Sequence, residues 1–286
     1  MHYLFMSGGC TLAAKIVGSR YFLLKNRDLV YKDFKDSVVF DDTIFGVTGI
    51  KIGTGEPAGV SIGFNKWGLS ACNSTVLATS NKAYDMLMER VLRETKSLDQ
   101  AHELVNEELQ SGSRYQWGNF LLATHKEVGA IEIGEGVCEM ERGPTMITRA
   151  NHHLRLPTTE TLKNASADER EAGGPIPMSQ KRRQLASKML EDATSLGDMM
   201  KILSSHSETR GFDSICRHRR MAPGESPFLG ETSYSYIVEI LMISPSEFDF
   251  RIHASRGNPC SNKYDETLVD FSSSQAERAA TVRKFP

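Results

Sequence analysis

Long hydrophobic runs are missing from this chain. None approaches the ~20 apolar residues that a bilayer-spanning helix requires, so a helical membrane span is not expected. An excess of one charge is missing too. The 34 Lys and Arg residues nearly balance 36 Asp and Glu, a net charge of −2, and no overall field favours nucleic acid or an anionic membrane as partner. Cysteine is sparse: five residues without short repeated spacings fit neither a disulfide framework nor a paired-cysteine zinc motif. A reducing, cytoplasmic setting is expected. Met1-His2-Tyr3-Leu4-Phe5-Met6 has no basic n-region, and its apolar stretch is shorter than the roughly 7–15 residues of a secretory signal. Export is not expected. There is no HExxH, and the adjacent His152 and His153 would point to opposite sides of an extended chain. No metal and no cofactor are expected.

What is present is a composition that can bury a large core: 286 residues, 40% hydrophobic and 24% charged. Residues 10–17 and 20–25 are apolar runs joined at Gly18-Ser19, the pattern of a hairpin. β-rich segments follow at 37–41, 44–50, 59–65 and 67–74, with Asn65-Lys66-Trp67-Gly68 as a turn. The period then changes. Ala83, Tyr84, Leu87, Met88, Val91 and Leu92 recur at helical spacing, and Ser97-Leu98-Asp99-Gln100 opens a second helix with a capping-box pattern. Strands are expected again at 119–124, 128–133 and 145–149, helices at 179–190 and 195–203, and strands at 214–217, 232–243 and 248–254. A charged tract without aromatic residues, 157–174, and the basic loop 219–231 read as exposed excursions. This order predicts an α+β fold, a four-layer αββα sandwich of two antiparallel sheets. Two separate α+β domains divided near 157–174 are the alternative.

Cys10 stands directly behind Gly8-Gly9 at the head of an apolar run. If the Gly9-Cys10 bond were cut, Cys10 would carry both a thiol and an α-amine, whose reference pKa is ~7.7–8.0. Nucleophile and base would then belong to one residue. Asp28, at the far end of the hairpin, returns towards Cys10. Asn73 and Asn151 follow apolar strands, and neutral amides suit an oxyanion site because they donate without titrating. Arg182-Arg183 lies on a helix starting at Ser179 and could anchor a carboxylate. Plainer readings stand beside these: a buried thiol, a solvated acid, turn asparagines and a surface basic pair.

Taken in order, Gly9-Cys10-Thr11, Asn26-x-Asp28, Asn65-Lys66-Trp67-Gly68-Leu69 leading to Asn73, Arg149-Ala150-Asn151-His152, Ser214-Ile215-Cys216-Arg217-His218 and Gly257-Asn258-Pro259-Cys260 form an ordered set. From Cys10 to about Cys260 the chain resembles the penicillin acyltransferase (acyl-coenzyme A:6-aminopenicillanic acid acyltransferase) and carcinine hydrolase-like peptidases, among the N-terminal nucleophile hydrolases. Choloylglycine hydrolases are similar more distantly. The resemblance implies a short propeptide, residues 1–9, and one N-terminal nucleophile hydrolase domain, residues 10–286. It makes Cys10 the self-exposed nucleophile, Asp28 the residue orienting its amine, Asn73 and Asn151 oxyanion and substrate contacts, and Arg182 a helix arginine near the nucleophile. Lys25, Arg27, Trp67 and His152 are the expected substrate contacts. Where the bile-salt branch has an arginine three residues before the aspartate, this chain has Lys25, which argues against a bile-salt substrate.

The expected activity is hydrolysis of a linear, non-peptide C–N amide after self-cleavage at Gly9-Cys10. Acyl transfer to an amine is one alternative, and a non-catalytic small-ligand-binding protein on the same fold is the other. The expected partner is a small-molecule amide or acyl substrate, without nucleic acid or membrane; a homo-oligomer is compatible with the sequence.

Overall fold

The computed structural model describes residues 9–29, 35–52, 54–158, 175–208, 211, 213–218 and 230–286. Gly8, most of the tract 157–174 and most of the loop 219–231 lie outside the described residues.

The N-terminal hairpin forms as the sequence predicts, from β1 (Cys10–Val17) and β2 (Arg20–Leu29), turning at Gly18 with φ 60°. Its register sets Cys10 opposite Arg27 and Val17 opposite Arg20. Side chains alternate across a strand, so Leu12, Ala14, Tyr21 and Leu23 face one buried layer while Ala13, Phe22 and Leu24 face another. Burial on both faces is the reason residues 12–14 and 21–24 are apolar without alternation.

The next strands are β3 (Val38–Phe40), β4 (Ile44–Ile50), β5 (Pro57–Asn65) and β6 (Ser70–Leu77), then helices α1 (Tyr84–Glu94) and α2 (Leu98–Gln110). Strands β7 (Trp117–Ala123), β8 (Val128–Ile133), β9 (Cys138–Gly143) and β10 (Met146–Arg149) precede helices α3 (Pro175–Glu191) and α4 (Leu196–Leu203). Strands β11 (Glu231–Ser244), β12 (Glu247–Arg256) and β13 (Asp265–Val269) and helix α5 (Gln275–Lys284) complete the chain. One sheet has six strands in the order β10-β1-β2-β11-β12-β13, and the other is a seven-stranded meander, β3 through β9. Every pairing in both is antiparallel.

The sheets meet through a core in which Phe64 of β5 stacks on Phe45 of β4 and on Phe250 of β12, with ring centroids 5.6 and 5.3 Å apart. Phe45 is therefore part of the inter-sheet core. On the outer face of the seven-stranded sheet, Leu87, Met88, Val91, Leu98, Ala101 and Val105 of α1 and α2 cover Ile44, Val60, Phe120 and Leu122. On the other sheet, Ala186, Leu190, Met199, Ile202 and Leu203 of α3 and α4 cover Ala13, Phe22, Leu24 and Ile237. The result is the αββα sandwich. Ser97 caps α2 by accepting from the Gln100 amide, and Ser195 with Asp198 forms a full capping box on α4, each worth about 1 kcal/mol.

Four elements differ from the sequence reading. Residues 214–217 form no strand: the Ser214 amide closes a turn on the Gly211 carbonyl. The edge strands β9 and β13 and the exposed helix α5 were not expected. No helix among the described residues is long and apolar enough to cross a membrane.

Candidate active site

Strand alternation decides which groups meet Cys10. In the β1–β2 register, Lys25 and Arg27 share the inter-sheet face with Cys10, while Asn26 and Asp28 turn to the other face. Cys10 is buried at 9% exposure. It lines a cavity of about 20 Å³ with Lys25, Arg27, Asp28, Leu29, Ile50, Ile52, Ser61, Asn73, Thr75, Tyr84 and Asp85, room for about one water molecule. A larger concavity, about 590 Å³, lies between α1 and α2, where Arg90, Glu94, Glu103, Glu107 and Glu108 line it. Its lining holds no cysteine or histidine, so size does not identify the chemistry here.

The Gly9-Cys10 peptide is held at both ends. The Gly9 carbonyl accepts from the Asp28 amide at 2.8 Å, and the Cys10 amide donates to Asn151 Oδ1 at 2.9 Å. Arg182 Nη2 donates to that same oxygen at 2.6 Å, and Asn151 Nδ2 is taken by the Thr75 carbonyl at 2.7 Å. Asn151 thus presents its carbonyl, not its NH2, to Cys10. In the uncut chain Asn151 is an acceptor for the Cys10 nitrogen, and an oxyanion role would require its NH2 to leave the Thr75 carbonyl.

Asp28 approaches through its backbone. Its carboxylate lies beside Gly9, accepting from Thr232 Oγ1 at 2.7 Å and from Arg217 Nη1 at 3.3 Å. A Cβ built on Gly9 would stand 2.0 Å from Arg217 Nη1 and 3.0 Å from Asp28 Oδ2. Only glycine fits here without moving the pair. Burial pushes the Asp28 carboxyl up, against the pull of Arg217 and Arg182. Burial, with Arg217 nearby, brings the Arg182 guanidinium down to about 9, still charged at neutral pH.

Burial also raises the Cys10 thiol, and the ammonium of Lys25 is the largest opposing influence. The same burial lowers Lys25, while Cys10 pulls it back up. Lys25 Nζ donates to Asn73 Oδ1 at 2.9 Å and to the Ser61 hydroxyl and carbonyl. Asn73 Nδ2 in turn donates to the Val60 carbonyl and to Asp85 Oδ1, each at 3.1 Å. Both hydrogens of the Asn73 amide are thereby engaged, so an oxyanion role would require one bond to be released. Asp85, a site residue the sequence reading missed, is pushed by burial up to about 6 despite Lys25 and Arg27. Arg27 pairs with Asp36 and donates to the Thr48 carbonyl at 3.1 Å.

The loop after β10 that carries Asn151 is fixed by a buried carboxylate. Burial pushes Glu132 up, but the backbone amides of Leu154, Arg155 and Leu156 donate to it at 2.8, 2.9 and 3.0 Å and bring it below its ordinary range. Arg149 pairs with it at 3.3 Å. Ser179 Oγ at the start of α3 accepts from the Asn151 amide at 2.7 Å and bonds His152 Nδ1 at 2.7 Å. His152 is accordingly a buried anchor beside the site. Burial and then Arg183, Arg182 and Arg149 lower it to about 4. His153 is bound instead to Thr158 and the Gly118 carbonyl, so the two histidines share no ligand site.

Trp67 is not near Cys10. It sits half-buried in the β5–β6 turn, with Lys66 and Lys96 ammonium groups 5.3 and 4.7 Å from its ring. The adjacent Gly68 carbonyl accepts from Tyr21, at the opposite end of β2 from Arg27 and Asp28. Fold geometry therefore removes Trp67 from the expected contacts. Arg217 is the principal omission: it lay in view inside Ser214-Ile215-Cys216-Arg217-His218, but nothing local in that motif points to Asp28.

No family model matches the chain, and no curated protein does. Solved structures do. A cysteine-to-alanine mutant of the conjugated bile acid hydrolase from Clostridium perfringens aligns over 93% of this chain and 98% of that one, with TM-score 0.52 and 11% identity. An arginine-to-leucine variant of the same hydrolase covers the same shares at TM-score 0.46 and 12% identity. The first of these likenesses establishes a shared fold, the αββα sandwich of two antiparallel sheets.

Proposed function

We propose that the chain is the precursor of a cysteine N-terminal nucleophile amidohydrolase that cuts its own Gly9-Cys10 bond. The observation that carries this reading is the state of that peptide. It is buried against the sulfur's own residue, with its carbonyl oxygen on one backbone donor and its nitrogen on one side-chain acceptor. A hydrogen bond to the carbonyl favours the oxyanion that forms when sulfur attacks.

In the maturation step, Cys10 Sγ bonds to the Gly9 carbonyl carbon as the C–N bond breaks, and the thiol proton passes to the departing Cys10 nitrogen. Water then hydrolyses the thioester, restoring the thiol and releasing residues 1–9 as a carboxylate. Loss of Gly9 empties the space between Asp28, Arg217 and Cys10. Substrate entry requires that loss, because the cavity beside the uncut peptide holds about one water.

In turnover, the freed α-amine, oriented by Asn151 Oδ1 and facing the Asp28 carboxylate, takes the thiol proton. The thiolate attacks the substrate amide carbon, and the Asp28 backbone N–H, released from Gly9, is available to the new oxyanion. The ammonium returns its proton to the leaving amine, and water cleaves the acyl thioester. Leu29, Ile50 and Ile52 give the cavity an apolar wall, which suits an apolar acyl group on a small, non-peptide amide. The shared fold with the conjugated bile acid hydrolase supports amide hydrolysis, whereas Lys25 argues for an acyl group other than a bile acid.

The test is acyl trapping. The mature protein is incubated with activated small acyl amides and esters, quenched in acid and digested. An acyl adduct on a peptide that begins at Cys10 is expected. Adducts distributed over all five cysteines, or none on a chain beginning at Cys10, would overturn the reading.

A further inference from the structure

We propose that His206, Cys216, His218 and Cys260 form a structural zinc site that clamps the segment carrying Arg217 against Asp28. Their ligand atoms all lie within 4.8 Å of one another. The four come from three stretches of chain: the turn after α4, the Cys216-Arg217-His218 segment and the loop after β12. His206 Nε2 and His218 Nε2 are 2.9 Å apart, Cys260 Sγ is 3.2 Å from His218 Nε2, and Cys216 Sγ is 3.8 Å from it.

Hydrogen bonding alone does not account for this convergence. An imidazole nitrogen carries either one proton or one lone pair, yet His218 Nε2 faces another ring nitrogen and two sulfurs. A single cation at the centre accounts for the convergence of all four donor atoms at once. The spacing fits that cation. Bonds of ~2.0–2.1 Å to nitrogen and ~2.3 Å to sulfur in a tetrahedron put the ligand atoms about 3.3–3.8 Å apart, and the observed 2.9, 3.2 and 3.8 Å lie around that range. Two thiolates with two imidazoles favour zinc over calcium or magnesium, which take oxygen ligands. Four protein ligands leave no open position, the mark of a structural site.

The surroundings are those of a ligand set. Asn258 Nδ2 lies 3.8 Å from Cys216 Sγ and donates to the Arg217 carbonyl at 2.6 Å, orienting the sulfur from outside the four. The Cys216 amide donates to the Ser205 carbonyl at 2.9 Å, tying that segment to the residue before His206. Cys216 and His218 are two residues apart and converge on the cluster. Arg217, between them, turns the other way to reach Asp28 at 3.3 Å, and its own amide donates to Thr232 Oγ1, which also holds Asp28. A metal on both flanks of Arg217 would fix the guanidinium beside the Gly9-Cys10 peptide. The sequence reading set metal aside because it weighed His152 with His153 and looked for paired-cysteine spacing; this set is assembled only by the fold.

Metal content tests the proposal. Untagged protein made in zinc-supplemented medium is expected to hold about one zinc per chain by elemental analysis, with the same content in Cys10→Ala, which removes the nucleophile from consideration. Cys260 is exposed, so Cys260→Ala is expected to fold, to keep its circular dichroism spectrum and to lose the metal; His206→Ala provides the second variant. Cobalt(II) loaded into the wild type should give tetrahedral thiolate absorption that Cys260→Ala lacks. Zinc-free wild type after incubation with zinc, a Cys216–Cys260 disulfide in its place, or full zinc content in Cys260→Ala would each overturn the proposal. These readouts do not depend on amidase activity, so their failure is distinct from failure of the proposed function.

Discussion

Arg217 Nη1 and Asp28 Oδ2 meet at 3.3 Å across 189 positions of sequence, with side chains 4% and 0% exposed. The pair lies where the Gly9 Cα must pass, so it connects the integrity of the fold to the Gly9-Cys10 bond. Breaking a buried ion pair from one side costs ~3–5 kcal/mol, because the remaining charge loses its partner. Arg217→Met is therefore expected to lower the unfolding free energy by about that amount and to accumulate uncut precursor. Arg217→Lys should recover part of the stability, since it restores a point charge without the planar fork. Equilibrium denaturation with intact mass measurement checks both, and an Arg217→Met protein as stable and as fully processed as wild type would contradict the role.

Gly9→Ala separates maturation from turnover. The added methyl falls 2.0 Å from Arg217 Nη1, so the guanidinium must shift and the scissile carbonyl loses its alignment. Maturation should slow by at least ~10-fold, since misplacement on the ångström scale has costs of that order or larger. The chain that does mature begins at Cys10 in either case, so turnover per mature site should equal wild type. Time-resolved mass spectrometry and active-site titration read the two quantities separately.

Lys25→Met tests what favours the thiolate. The Lys25 ammonium is the largest influence opposing the effect of burial on the Cys10 thiol. Without that positive charge, the pH profile of Cys10 alkylation should move to higher pH, by about one unit or more. An unchanged profile would show that Lys25 serves only to hold Ser61 and Asn73.

His152 gives a stability signature with a defined sign. Its folded-state pKa is lowered to about 4 from the ordinary imidazole value of ~6.5, so above about pH 6.5 it is neutral in both states and has no effect. As pH falls from 6.5 towards 4, the unfolded chain takes up a proton that the folded chain refuses, and stability is lost by up to about 3 kcal/mol. Asp85, raised to about 6 from 3.8, works oppositely: its contribution is present below 3.8 and lost as pH rises through 6. The difference between wild type and His152→Gln isolates the histidine. That difference should change across pH 6.5 to 4 in the direction of relative gain for the variant on acidification; a flat difference would contradict the burial argument.

The sandwich was legible where burial imposed a pattern. The β1–β2 hairpin, the meander and helices α1 to α4 all bury apolar faces, and their periodicities show it. β9 (Cys-Glu-Met-Glu-Arg-Gly) and β13 (Asp-Glu-Thr-Leu-Val) were missed because sheet edges carry charge and little core. Helix α5 buries no residue of its own and is held by the Ser274–Glu277 capping box and by Phe285 against Tyr236. Within the site, Cys10, Asp28, Asn151 and Arg182 converge as the ordered motifs suggested. Which atom of each faces the Gly9-Cys10 peptide was not legible, since that depends on strand parity and on partners such as Thr75 and Thr232. Arg217 and the His206–Cys216–His218–Cys260 cluster depend on contacts between distant segments, and no local pattern announces them.

The central claim is that Gly9-Cys10 is a bond the protein cuts for itself. Intact and N-terminal mass analysis of purified wild type beside Cys10→Ala tests it most directly. Wild type is expected to begin at Cys10 with a free α-amine, and Cys10→Ala to retain Gly9 and the residues before it. A fully active wild-type enzyme that still carries Gly9 joined to Cys10 would contradict the account.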